Sequence, residues 1–176
     1  PDPIMVGEIR GGESAEIAIR AAITGHLVLS TLHTNDALST VVRLVDMGVE
    51  PFLVASSVKC VIAQRLVKKL CPHCKEEQVI QSSDKLLLKT NLDKAFAAHG
   101  CSKCNNTGYT GRTAVFEIVL IDGKLERMIS EKASMDDLKA YAEAKDLRSL
   151  RDEVMDLVES GKTSIEEAVR ILYTAE

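Results

Sequence analysis

Residues 1–36, PDPIMVGEIRGGESAEIAIRAAITGHLVLSTLHTND, read as strand, helix, strand. Ile4, Met5 and Val6 form a short apolar run that stops at Gly7-Glu8. Over residues 14–23, Ile17, Ala18, Ala21 and Ala22 fall on one face of a helix. Leu27, Val28 and Leu29 are a second apolar run, ending in Ser30, Thr31, His33, Thr34, Asn35 and Asp36. Runs this short, bounded by such signals, suit strands buried on both faces and joined by a crossover helix. In open α/β sheets, chemistry collects at the carboxyl ends of the strands. Here those ends carry Glu8 and His33. One can act as a base, and the other can donate a hydrogen bond to a phosphate. Residue type alone leaves both open: a Glu at a strand end can be solvated or face a helix N-terminus, and a His after a strand can be structural.

The chain has 176 residues, enough for one domain with a proper core and a small appendage. A hydrophobic share of 45% with 27% charged residues is that of a soluble globular protein. The net charge of −4 argues against a dedicated nucleic-acid binder, and the lack of Trp against base-stacking platforms. No apolar run approaches the ~20 residues that span a bilayer, and no secretory signal is visible. The chain opens on Pro1-Asp2-Pro3 directly before a strand, so it reads as a piece of a longer protein.

Further along, Asn35-Asp36 can cap a helix over residues 37–47 that stops at Gly48, and Pro51 begins a second helix through Val58. Residues 60–70 look extended, with Ile62, Leu66 and Leu70 on one face. Residues 113–121, TAVFEIVLI, are the most β-prone stretch. These read as two strands of one hairpin, interrupted by an insertion of about forty residues with a helical piece near 84–99. The remainder is helical: a short helix at 124–130, then 135–144 capped by Ser134 with Asp137 completing a capping box. Helices at 147–159 and 164–173 follow, the last capped by Thr163. The expected organisation is a core from residues 1–70 and 105–122, an insertion at 71–104 and a helical bundle at 123–176.

The sharpest chemical signal is CPHC at 71–74 with CSKC at 101–104. Each pair puts two sulfurs on one tight knuckle, so Cys71, Cys74, Cys101 and Cys104 complete a tetrahedral S₄ set. That donor set fits Zn²⁺, with iron as the common wrong occupant. Four thiolates leave no open position, so the metal is structural. His73 and His99 read as surface histidines, and Cys60 as a small buried hydrophobe.

Gly161-Lys162-Thr163 has the last letters of a P-loop, but the first P-loop glycine is missing: position 156 is Asp. The segment reads as a helix stop followed by a cap. Gly108-Tyr109-Thr110-Gly111-Arg112 suits tight turns, with Arg112 at the mouth of a strand. Its guanidinium can grip a phosphate or carboxylate, or simply decorate a turn.

The segments IMVGEIR and TGHLVLSTLHTNDA, together with LVDMGVEPFLVASSV, AQRLVKKLC, the tetracysteine, GYTGRTAVFEI and GKTSIEEAVRIL, cover nearly the whole chain. They resemble the C-terminal part of the type II secretion and type IV pilus assembly ATPases, the GspE/PilB group. In that family the first segment is Walker B, whose glutamate positions the attacking water, and the second is the His box. The resemblance implies an α/β, RecA-like core with an inserted Cys₄ zinc module and a C-terminal helical bundle. It implies Glu8 orienting water, His33 sensing the γ-phosphate and Arg112 reaching nucleotide across a subunit boundary. It also implies ATP and Mg²⁺ held by a Walker A loop upstream, so these residues alone are expected to be inactive. A homohexamer on an inner-membrane platform protein is implied, cytoplasmic and peripheral, with no nucleic acid and no membrane insertion. The tetracysteine separates this group from pilus retraction ATPases. One departure is Gly11, where the family usually has Asp. A competing reading is a zinc-dependent interaction module without catalysis, using Lys59, Arg65, Lys68, Lys69 and Lys75 as a patch for a protein or nucleic-acid partner.

Overall fold

The computed structural model describes residues 1–173 and forms two compact units. The first comprises residues 1–63 and 117–147. It opens with strand β1 (Ile4–Val6), helix α1 (Gly12–Ile23) and strand β2 (Val28–Ser30), the order read from the sequence. β1 and β2 pair in parallel, with Ile4 opposite Val28, Met5 opposite Leu29 and Val6 opposite Ser30. Val6 and Val28 pack against the core, whereas Met5 and Leu29 are 73% and 52% exposed. The expected burial on both faces is therefore not met. Side chains alternate along a strand, and among the described residues nothing covers the outer face.

α1 starts at Gly11, which offers no side-chain cap; Ser14 Oγ instead donates to the Gly11 carbonyl. Helix α2 (Ala37–Asp46) is capped by Asp36, whose carboxylate accepts the Ser39 N–H, and the chain turns away at Gly48 with φ at 95°. Helix α3 (Pro51–Ser57) begins on its proline. Helices α5 (Gly123–Ser130) and α6 (Met135–Ala144) complete this unit, α5 against α3 and α6 against α2. Ser134 and Asp137 form the capping box read from their spacing. Ile19, Leu38, Val41, Leu44, Val54 and Leu125 form the centre of the core.

Strands β3 (Cys60–Leu70) and β6 (Tyr109–Leu120) pair as a two-stranded ribbon. Their first and last turns of pairing, Ile121 N–H to Lys59 O and Cys71 N–H to Gly108 O, run antiparallel. Cys60 is exposed rather than buried. It shares the outward parity of β3 with Ile62 and Leu66, which are 58% and 50% exposed, while Val61 and Val67 point inward.

The second unit comprises residues 64–116 and 148–176, of which 174–176 lie outside the described residues. Between the ribbon strands lie β4 (Glu76–Val79), helix α4 (Ser82–Leu88), β5 (Lys94–Ala97) and a short 3-10 turn at Ser102–Cys104. β4 and β5 pair antiparallel, Glu76 opposite Ala97. The helical piece expected near 84–99 is thus half helix and half strand. Helices α7 (Leu150–Glu159) and α8 (Ile165–Tyr173) pack on each other and on β5, and α8 also packs on α4. The units cut the chain differently from the three-part division by motif, because α5 and α6 pack with residues 37–57 and α7 and α8 with the insertion.

The turn before α8 resolves the Gly-Lys-Thr segment. Gly161 takes the left-handed conformation, φ at 63°, just past the end of α7. Thr163 does not cap α8. Its hydroxyl is fully buried and donates to the Lys68 carbonyl at 2.8 Å, while Ser164 Oγ accepts the Glu167 N–H.

Candidate active site and metal centre

The register of β1 and β2 brings Glu8 and His33 together. An offset of 24 residues places Glu8 beside Leu32, one residue before His33. Two bonds extend the pairing past the strand ends: Thr31 Oγ1 donates to Gly7 O at 2.7 Å, and Ile9 N–H donates to Thr31 O at 2.9 Å. His33 Nε2 lies 2.8 Å from Glu8 Oε1, and Arg10 Nε donates to Glu8 Oε2 at 2.6 Å. The Glu8 side chain is 22% exposed and that of His33 is 92% exposed. A carboxylate held by two donors keeps its orientation, and the His33 imidazole is tied to it through Nε2 with the rest of its ring open to solvent.

Glu117, which the sequence reading passed over, reaches the far end of the His33 loop. Its Oε1 accepts the Ala37 N–H at 2.9 Å. Nothing local marks such a residue, since its partner is 80 positions away.

Arg112 is exposed on β6, in the second unit, with no ion-pair partner among the described residues. Gly108, just before β6, and Gly111, inside it, both precede Arg112 and have φ at 75° and 68°; the expected turn through residue 111 is thus a stretch of strand with left-handed backbone at its glycine. Tyr109 between them is half-buried, and its hydroxyl pairs with Ser164 Oγ at 2.7 Å. The basic residues of the competing reading are partly engaged. Lys59 binds Glu126 at 2.8 Å, and Lys75 donates to Gly161 O at 2.7 Å with its ammonium over the Phe96 ring.

Cys71, Cys74, Cys101 and Cys104 bring their sulfurs within 4.8 Å of one another. The Cys71–Cys101, Cys74–Cys104 and Cys101–Cys104 separations are 3.9, 3.8 and 3.9 Å. A tetrahedron with metal–sulfur bonds of about 2.3 Å has edges of about 3.8 Å. The donor set therefore fits a single metal ion. Tight turns create it: Cys74 and Lys75 N–H groups return to Cys71 O, and Cys104 and Asn106 N–H groups return to Cys101 O. Asn105 and Asn106 supply left-handed backbone. The Cys101 and Gly108 amides both donate to Cys104 Sγ at 3.2 Å. Burial acts most strongly on Cys104, raising its pKa, yet those amides and the neighbouring thiols pull it down to about 6. Burial pushes the Cys74 thiol up to about 12. His73 and His99 are exposed, the latter with Nδ1 3.8 Å from Glu76 Oε2.

The family model described as "Type II/IV secretion system protein" matches residues 1–170. The chain is similar to "Type II secretion system protein HxcR" of Pseudomonas aeruginosa, 48% identical over 99% of this chain and 34% of that protein. It is 45% identical to "Type II secretion system ATPase E" of Vibrio cholerae, over 97% of this chain and 34% of that protein. It is 44% identical to "Type IV pilus assembly ATPase TfpB" of Acinetobacter baylyi, over 98% and 30%. The chain thus spans about a third of the length of these relatives. Among solved structures, the pilus retraction motor PilT with bound ADP matches with a TM-score of 0.66 at 24% identity, over 97% of this chain and 39% of that one. The Legionella pneumophila ATPase DotB matches with 0.64 at 20%, over 99% and 39%. These likenesses show the fold, the α/β arrangement anticipated from residues 1–36.

Proposed function

The chain belongs to the type II/IV secretion system protein family, and on that premise we propose that it is the C-terminal part of a ring-forming ATPase driving type II secretion or type IV pilus assembly. The observation that carries this reading is the 2.8 Å approach of His33 to Glu8 at the carboxyl ends of two parallel strands. Phosphoryl transfer asks a protein mainly for positioning and charge. Glu8 orients the attacking water and accepts its proton. His33, paired with Glu8 and otherwise exposed to solvent, contacts the γ-phosphate. ATP and Mg²⁺ would be held chiefly by a Walker A loop outside these 176 residues, the ion supplying charge neutralisation at the phosphates when bound. Arg112, exposed on β6 and without an ion-pair partner among the described residues, reaches the nucleotide of the next subunit in a homohexamer.

The metal is Zn²⁺, and with four thiolates around it the site is structural. Purified protein should contain about one zinc per chain, lost when Cys71 and Cys74 become Ser. The assembly works in the cytoplasm, peripheral to the inner membrane through a platform protein; no described helix is long and apolar enough to cross a membrane.

The test uses the full-length protein. Glu8→Gln keeps ATP binding and loses most hydrolysis, since an amide is a far poorer proton acceptor. Arg112→Ala lowers hydrolysis while zinc content and folding persist. Mixing the two variants partly restores turnover, because some interfaces then pair an intact Glu8 with a neighbour's intact Arg112. Wild-type turnover in Glu8→Gln sinks the catalytic reading. Mixed rings without any recovery sink the role of Arg112 between subunits.

A further inference from the structure

We propose that Glu117 is a positioning residue for His33. Glu117 lies on β6, and its Oε1 accepts the N–H of Ala37, the first residue of α2, at 2.9 Å. α2 already has a local cap, since Asp36 Oδ1 accepts from Ser39 N–H at 2.7 Å. The two bonds fix different things. A cap from the preceding residue moves with the chain and stabilises the helix wherever it lies. A bond from a strand 80 residues away ties the helix start to one place.

That place decides where His33 stands. Residues 31–36 contain no helix or strand. At the near end of this loop, Thr31 is bonded to Gly7 and Ile9 beside β1. At the far end, Ala37 is bonded to Glu117. Within the loop, Thr34 Oγ1 pairs with Thr40 Oγ1 at 2.8 Å, bracing it against the first turns of α2. Apart from its 2.8 Å contact with Glu8 Oε1, His33 has little packing of its own, its side chain being 92% exposed, so the anchors at the two ends set where its backbone stands. Glu117 is half-buried, which shields its bond from competing water.

The inference rests on His33 acting at the γ-phosphate. A group with that task tolerates little displacement: a misplacement of about 1 Å can cost on the order of a hundredfold in rate. Loss of the Glu117 anchor should therefore appear in kcat and spare ground-state nucleotide binding.

The experiment measures steady-state ATP hydrolysis by the full-length protein carrying Glu117→Ala, Glu117→Asp, Glu117→Gln, His33→Ala, and His33→Ala with Glu117→Ala. Gln keeps an oxygen to accept the Ala37 N–H; Asp keeps the charge and most of the packing but withdraws the acceptor by one methylene. Glu117→Ala should lower kcat by about tenfold or more with KM changed less than about twofold. Glu117→Asp should be slowed in the same sense even if the Ala variant fails to fold. Glu117→Gln should stay within about threefold of wild type, and the double variant should be no slower than His33→Ala. The proposal is overturned by wild-type kcat in Glu117→Asp, by Glu117→Gln as slow as Glu117→Asp, or by additive losses in the double variant. Wild-type turnover in His33→Ala would instead remove the parent reading, and this inference with it.

Discussion

Replacing Gly108 by alanine tests the metal centre without touching a ligand. Gly108 has φ at +75°, and a Cβ there would lie 2.5 Å from Ala98 Cβ and 3.0 Å from Ala98 Cα. Left-handed backbone costs an alanine about 1–2 kcal/mol. Forcing a methyl into filled space adds about 1–3 kcal/mol. The sum of roughly 2–5 kcal/mol falls on a residue whose N–H donates to Cys104 Sγ and whose carbonyl accepts the Cys71 N–H. If all of it is borne by the metal-bound knuckle, zinc affinity drops by roughly 30-fold to several thousandfold, at about 1.4 kcal/mol per tenfold. The assay is a competition titration of zinc-loaded full-length protein against a chromophoric chelator. Gly123→Ala is the control, because a Cβ at Gly123 meets nothing within 4 Å. Wild-type zinc affinity in Gly108→Ala would show that the knuckle does not depend on this backbone position, and the reasoning from its two bonds would fall.

Two other perturbations probe the helices. The Tyr141 hydroxyl donates to Asp122 Oδ2, and this bond, ahead of the Leu125 amide, holds the Asp122 carboxyl below the ordinary carboxylate range. A depressed folded-state pKa contributes stability that is present above the unfolded value of about 4 and is lost as pH falls through the folded value. Tyr141→Phe should therefore move the Asp122 titration, followed by carboxyl-carbon NMR, upward and start acid unfolding at higher pH; an unmoved titration would give the whole effect to the amides. Glu167 is 3% exposed, accepts the Lys68 N–H at 2.9 Å and pairs with Arg170. Glu167→Ala strands that partly buried N–H, and should cost about 1–3 kcal/mol, read as a lower urea midpoint at unchanged slope. A midpoint equal to wild type would mean that water takes the place of the carboxylate.

What the sequence disclosed and what it hid follow a physical divide. Local signals were legible: the runs that end at Glu8 and His33, the capping box at Ser134 and the knuckles of the tetracysteine are all written within a few residues of where they act. Choices made by distant partners were not. Thr163 and Ser164 are both good caps, and the Lys68 carbonyl claims Thr163, leaving α8 to Ser164. KAFA at 94–97 has no alternation to mark a strand, and its pairing with β4 supplies the conformation. Cys60 follows the parity of β3, which cannot be read when apolar residues stand at both parities. Glu117 is invisible because its partner is far along the chain, although that partner, Ala37, stands only four residues from His33.

Gly161 carries one more consequence. A Cβ at this position would lie 2.6 Å from the Phe96 ring and 3.1 Å from the Lys75 ammonium, which itself donates to the Gly161 carbonyl. The glycine is thus demanded by an aromatic ring and a lysine of the cysteine-bearing insertion, and the threonine two residues on by a strand carbonyl. The Gly and the Thr of this Gly-Lys-Thr are accounted for by backbone conformation, sterics and a hydrogen bond, with no nucleotide involved. A search for those three letters alone would mark this corner as a phosphate cradle, when its glycine answers to a left-handed turn packed against a phenylalanine.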